Sequence, residues 1–585
     1  MRTRSKKVTA LLMCATVGVS TMLTGCGGSK SSDKDTFTYM LSTPVSHSYY
    51  SEYEDNPVVQ YWLDKEWKAD SDSDGKKISI DFVSPASQDT AKDMANTLIS
   101  TGEYTDIMDL LVCSESAAKL YDDGIAMDIT EYVEKYMPNY QKWIKDNNYG
   151  NRLMNYVDGE YRYIQIYGLS DQESYMWGGL EYRRDWIVKY GKNPQTGTAF
   201  TGGYDADGNW SDDVVFPSGE VYPVYISDWE WMLDIFATAL KEEGITDGYC
   251  MQMYYMGEIP TGEIETGFGI GSGSTYLDEN GQAQYGGTSD GMRAYIECMH
   301  QWYENGWIDQ DFEQRSSDMF FSLDAPTVYS GKCGLWWGTQ AQLADGMATG
   351  EDDFTKGIYV AAAPQPINDK YGDVSCQNKV PTTFLSNAVV TSGIVITEKA
   401  KDKDLASLFT AIDYLFSEEG GMLKQYGFSD KQQAEIQSEV YDKIGMGNGT
   451  YTVSEDGTYQ IDPKRDTIQD CVEVTSAQRL VGLAPNKNVD RGYPEDIQTD
   501  LELWSLYKNT GSIGADISNN IDADDAQDIS LMESNCTTYS STEIPKFIKG
   551  SLDITSDKDW KNYVKGLEEF NPTLKADCIN KLLNQ

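Results

Sequence analysis

The chain has 585 residues, with 47 Lys and Arg against 93 Asp and Glu, a formal net charge of −46. That imbalance opposes nucleic-acid binding, which needs a basic footprint, and docking on an anionic membrane through a basic face, while 40% hydrophobic and 24% charged residues are ordinary for a globular chain. The two histidines, His47 and His300, are too few for zinc hydrolysis of the H-E-x-x-H kind, and the length calls for about two to four domains or one fold of two large lobes.

In chain order, the first segment is a leader. Arg2, Arg4, Lys6 and Lys7 form a basic start, and residues 8–23 are an apolar run too short for a comfortable membrane span. The run ends in Leu23-Thr24-Gly25-Cys26. This resembles the bacterial lipobox, in which the Cys receives a diacylglyceryl thioether and becomes the first mature residue. Residues 1–25 are expected to be a lipoprotein signal peptide, and residues 26–36 the lipidated Cys26 with a flexible Gly/Ser tether.

Residues 36–41 alternate and predict a first strand. Residues 56–68 carry Val58, Val59, Trp62, Leu63 and Trp67 at helical spacing, with Pro57 near the start. Residues 77–83 predict a second strand, 87–100 a helix burying Ala91, Met94, Ala95 and Leu98, and 104–111 a third strand. Strand–helix–strand–helix–strand implies a parallel sheet with right-handed crossovers. Further strands are predicted at 161–167 and 180–183, separated by a polar and aromatic stretch. Residues 193–225 are rich in Gly, Asp and Thr and read as an insertion of loops. Helices are predicted at 227–243, 291–305 and 402–416, a helix followed by a strand at 318–337, a strand at 388–397, and a helical tail after Ser556. Beyond Cys26, the mature chain has eight scattered cysteines with no C-x-x-C pair, which read as isolated buried thiols without zinc or iron–sulfur spacing.

Five segments, in order, carry a family resemblance. They are Ser100-Thr-Gly-Glu-Tyr-Thr-Asp-Ile-Met108, Gly179-Leu-Glu-Tyr-Arg-Arg-Asp-Trp186, Asn305-Gly-Trp-Ile-Asp-Gln-Asp311 with Ser330-Gly-Lys-Cys-Gly-Leu-Trp336, Tyr414-Leu-Phe-Ser-Glu-Glu-Gly420 with Tyr426-Gly427, and Asp559-Trp560 to Leu567. With the lipobox they resemble the extracellular solute-binding lipoproteins of bacterial ABC importers, family 1, the oligosaccharide-binding type. The resemblance implies a two-lobed α/β fold of the periplasmic-binding-protein type II, with hinge strands and a ligand cleft between lobes. It places lobe 1 at 37–168 plus 397–475 and lobe 2 at 169–396 plus 476–585. It also implies a non-catalytic monomer held at the outer face of the cell membrane through its lipid alone. Such a protein would hand an oligosaccharide to ABC permease subunits and needs no cofactor.

Candidate ligand contacts follow from that layout. They are His47 and Tyr49 in the loop after the first strand, Asp109 at a strand end, Tyr175 and Trp177 in the first crossover, and Trp336 and Trp337 on a strand of the second lobe. Sugar C–H faces stack on aromatic rings and sugar hydroxyls pair with polar side chains. Adjacent residues on a strand point oppositely, so at most one of Trp336 and Trp337 is expected to face the cleft. Trp62, Trp67, Trp231, Trp302 and His300 lie on predicted helices and read as packing residues. Asp205, Asp207, Asn209 and Asp213 are weak metal candidates that match the opening of a calcium loop. Trp210 stands where that loop needs Gly and Phe216 where it needs Glu, so a plain turn is the better reading. Gly267–Gly273 lacks the Lys-Ser/Thr of a phosphate loop. Two alternatives stay open: a surface glycan-degrading enzyme using a carboxylate pair, and the same fold binding a peptide or other non-sugar solute.

Overall fold

Two sheets, one of six strands and one of four, belong to separate apolar cores. The computed structural model describes residues 36–42, 52–69, 74–85, 90–157, 159–171, 178–207, 209–255, 257, 263–271, 275–315, 327–328, 330–339, 358–372, 390–443, 447–461, 475–485, 489–490, 495–504, 506, 513–518, 520–521 and 523–584. The first lobe begins with β1 (Thr36–Met40), α1 (Pro57–Asp64), β2 (Ser79–Val83), α2 (Ala91–Thr101), β3 (Ile107–Asp109) and β4 (Gln165–Ser170). The second holds β5 (Gly178–Arg183), α3 (Ile226–Glu243), β6 (Tyr249–Met251), α4 (Asp290–Glu304), β7 (Cys333–Thr339) and β8 (Val360–Ala363). The chain returns to the first lobe as β9 (Val390–Ile396), α5 (Leu405–Tyr414), α6 (Glu418–Tyr426) and β10 (Leu483–Ala484). It ends in the second with α7 (Glu495–Trp504), α8 (Ala523–Ile548), α9 (Asp557–Glu568) and α10 (Leu574–Leu583).

The first sheet runs β10-β4-β9-β3-β1-β2, and the second β6-β7-β5-β8. β1 pairs in parallel with both β2 and β3, as two consecutive strand–helix–strand units require. The returning β9 inserts antiparallel between β3 and β4. The strands pair where side chains alternate into the core and the helices form where apolar residues recur on one face. In α1, Pro57 opens the first turn and the Asn56 carboxamide accepts from the backbone N–H groups of Val58 and Val59 at 2.9 and 3.1 Å. Its buried face carries Val58, Val59 and Trp62, whose indole donates to Ala411 O of α5 at 2.8 Å.

The family-like segments turn out to be fasteners. Asp106 accepts from Thr38 N at 2.7 Å and Thr38 Oγ1 at 2.8 Å, and pairs with Lys403 at 2.7 Å, tying β1 to the approach to α5. The third strand is three residues long rather than the eight predicted. Arg183 grips Asp185 through two hydrogen bonds and lies 4.2 Å over the Trp186 ring. Arg184 grips Asp212 in the same forked manner at 2.6 and 2.8 Å. That pins the 193–225 insertion, which contains a small hairpin of Gly202–Tyr204 with Trp210–Asp212, against the second lobe. The strand predicted at 161–167 is two pieces: Glu160–Arg162 pairs with Asn155–Val157 in a hairpin, and β4 starts at Gln165.

The lobe borders differ from those expected. β9 is in the first sheet from Val390 on, whereas residues up to 396 were expected in lobe 2. Residues 475–484 stay with the first lobe: Leu483 pairs with Leu169, and Ala477, Leu480 and Val481 are in the first core. The Asn56 amide anchors this segment by donating to Ser476 O at 2.7 Å. Where β4 meets β9 the ladder slips between Thr391 and Gly393. A Cβ on Gly393 would sit 2.0 Å from Ile166 O, so glycine is what lets the two connecting strands approach. Cys113, Cys250, Cys298, Cys333, Cys536 and Cys578 are free thiols, while Cys376 and Cys471 lie outside the described residues.

Candidate functional site

Asp109 ends β3, Ser170 ends β4 and Ala484 ends β10, so three strands stop at one edge of the first sheet. A cavity of about 340 Å³ opens there, bounded also by Thr391 of β9, Lys424 of α6 and Arg479. The carboxyl ends of strands in an open α/β sheet are where such folds hold ligands.

Asp109 is 7% exposed, and its Oδ1 accepts from Leu111 N at 2.9 Å. Burial pushes its carboxyl up to about 6, against the Leu111 N–H and the positive charge of Arg479, which both pull it down. Behind it, burial raises the Tyr39 phenol well above its ordinary value, and the Asp109 charge adds to this. Lys424 is 6% exposed. Burial lowers its ammonium to about 8, and it makes no ion pair among the described residues. The main chain explains how a lysine comes to be covered. Ala477 N donates to Lys424 O at 2.9 Å, holding the 475–484 segment over α6. Gly482 leaves room for the lysine stem, since a Cβ there would lie 2.8 Å from Cδ of Lys424. The Gln478 amide donates to Gln425 O at 2.9 Å and fixes the same wall. The cavity thus offers hydroxyls, a carboxyl and two cationic side chains.

Of the residues singled out from the sequence, Asp109 lines this cavity. His47, Tyr49, Tyr175, Trp177 and Cys26 lie outside the described residues. Trp336 and Trp337 are in the second lobe's core, 1% and 3% exposed. β7 is an inner strand, with Trp336 opposite Glu181 and Trp337 opposite Leu180 of β5. On Trp336's face, Gly334 lies against Phe236 of α3 and Gly179 against Trp504 of α7. Neither ring therefore presents a face to solvent, where at most one was expected to face the cleft.

The Asp205 turn spends its oxygens internally. Asp205 Oδ1 accepts from Asp207 N at 2.9 Å and Asn209 N at 2.8 Å, while Asp213 accepts from Thr201 N at 2.7 Å and Thr201 Oγ1 at 2.9 Å. No group of three or more metal-ligating side chains occurs among the described residues. Lys424, Arg479 and Gln478 were not singled out from the sequence. A lysine near the end of an amphipathic helix reads as a solvated cation, and only the overlying 475–484 segment buries it.

No family model matches the sequence, and no curated protein matches it either. Solved structures do share its fold. The ABC-transporter substrate-binding protein FusA of S. pneumoniae, in complex with kestose, superposes with a TM-score of 0.64 at 15% identity, covering 94% of this chain and 99% of that one. The HMO-binding, ABC-transporter-associated solute-binding protein of Bifidobacterium longum infantis gives 0.63 at 14%, covering 94% and 98%. The alginate-binding protein AlgQ2 gives 0.61 at 15%, covering 94% and 99%. The likeness runs nearly end to end in all three, so the chain has the two-lobed solute-binding-protein fold.

Proposed function

We propose that this chain, built on the solute-binding-protein fold, captures an oligosaccharide outside the cell and delivers it to the permease of an ABC importer. The observation that carries the reading is the full-length likeness to proteins described as carbohydrate-binding partners of ABC transporters. The cavity at the strand ends supports it, with polar groups suited to sugar hydroxyls. Asp109 is the one carboxylate among the described residues lining that cavity. Glycoside hydrolysis in its usual form needs two, about 5–5.5 Å apart (retaining) or 6.5–9.5 Å apart (inverting). This favours binding over turnover and the receptor over the rival glycan-degrading enzyme.

Calorimetry with a panel of oligosaccharides, paired with product analysis, tests the reading. One saccharide class is expected to bind saturably, one per chain, and emerge unchanged. Cleavage of the bound saccharide would establish the enzyme instead, and no binding across the panel would reject the carbohydrate ligand.

The leader and Cys26 support anchoring by a lipid at the outer membrane face. Cys26→Ala is expected to release the protein from membranes or leave its signal uncleaved. Unchanged detergent partitioning with the same mature N-terminus would overturn the anchor.

A further inference from the structure

We propose that the cavity at the end of the first sheet selects saccharides bearing an anionic substituent, a uronic-acid carboxylate or a sulfate ester, and that Lys424 pairs with that substituent. The proposal rests on the carbohydrate reading above and narrows it to a substrate class.

Lys424 lines the cavity although it is almost wholly buried. Lysine is almost never buried without a partner, because an unpaired charge loses its hydration and gains nothing in return. This fold shows how a lysine is normally satisfied. Lys403 reaches a carboxylate of Asp106 at 2.7 Å and the carbonyl of Thr36 at 2.7 Å. Lys424 has no such acid among the described residues. The cavity's own acid, Asp109, stands in the field of Arg479 instead. The wall therefore carries two cationic side chains against one carboxylate, in a chain whose formal charge is −46. A local positive site in a strongly negative protein supplies a neutral sugar with nothing that a neutral side chain would not. It does supply the missing partner for an acidic one. Ser170, Thr391 and Gln478 line the same cavity beside the charged groups.

The test compares saccharides of equal length that are neutral, carry one uronic acid or carry one sulfate ester, against the mature chain, Lys424→Met and Lys424→Arg. Wild type is expected to bind one acidic form about tenfold or more tighter than the neutral one, and the preferred form identifies the source of the charge. Lys424→Met should abolish that preference, and Lys424→Arg should keep it. Equal affinities for neutral and acidic forms in wild type, or a preference that survives in Lys424→Met, would overturn the proposal. A second arm uses free glucuronate and inorganic sulfate, at least one of which is expected to raise the melting temperature of wild type more than that of Lys424→Met. A panel without any binder, but with this anion effect intact, rejects the carbohydrate reading and keeps the anion site. Loss of both rejects the two together.

Discussion

Trp336→Ala is expected to lower the stability of the second lobe by about 3–5 kcal/mol, the range for removing a large buried aromatic. Trp336 is 1% exposed in the second core, on a sheet face where the neighbouring Gly334 and Gly179 back onto Phe236 and Trp504, so truncation opens a cavity in that core. Urea or thermal unfolding, followed through the second lobe's transition, reads the loss. Any folded fraction should bind saccharide with unchanged affinity, because the cavity lining belongs to the other lobe. A variant that melts like wild type but has lost its ligand would show that Trp336 is a binding platform after all.

The first lobe should grow more stable as the pH falls from about 7.5 to about 4.5. Asp109 and Asp413 are both held up at about 6 by burial. For Asp413 burial outweighs the N–H of Tyr140 at 3.0 Å and the Asn139 amide at 2.8 Å. A carboxyl raised in the folded state binds its proton more tightly there than in the unfolded chain. Its stabilising contribution is complete below the unfolded value of 3.8 and disappears as pH rises through about 6. At about 1.4 kcal/mol for each unit, the two groups contribute roughly 2–3 kcal/mol apiece. Asp128 and Asp404 are held below their ordinary value, against burial that raises them, by hydrogen bonds from Thr130 and Arg162 to the first and from Lys76 and Ser407 to the second. They act in the opposite sense, but only below about pH 4. Chemical unfolding across this window checks the prediction, and Asp413→Asn should flatten the profile by about half. A first-lobe transition that is flat, or weakens on acidification above pH 4.5, would refute it.

The parts of this fold that could be read from sequence are those where a single local rule dominates. β1 and β2 alternate cleanly, and α1 couples a Pro start to an apolar stripe. α3 and α4 likewise bury periodic faces. α8 was missed for the opposite reason. Its 26 residues bury Ile529, Met532, Cys536, Ile544, Phe547 and Ile548, but the intervening Ser, Thr, Asp and Asn have weak helix propensity and Pro545 reads as a stop. Packing against α4 and α9 overrides both signals. At the site, Asp109 was legible because a strand end in an α/β sheet is a known place for ligands. Lys424 was not, because its burial depends on residues 475–484 folding back over α6.

The position of β10 and β9 within the first sheet bears on biosynthesis. β9 is wedged between β3 and β4, yet it is synthesised only after all of β5 to β8, and the edge strand β10 is later still. The second core is equally unfinished until α7 to α10 exist. Neither lobe can close around its nascent N-terminal part, so ribosome emergence supplies no early folded unit. The completed polypeptide must find long-range strand pairings, with the slow kinetics that high contact order imposes. An N-terminal fragment ending before residue 390 lacks the central strand of one sheet, and one ending before residue 495 lacks the helices that cover the other. The two lobes are separate as cores but inseparable as products of translation.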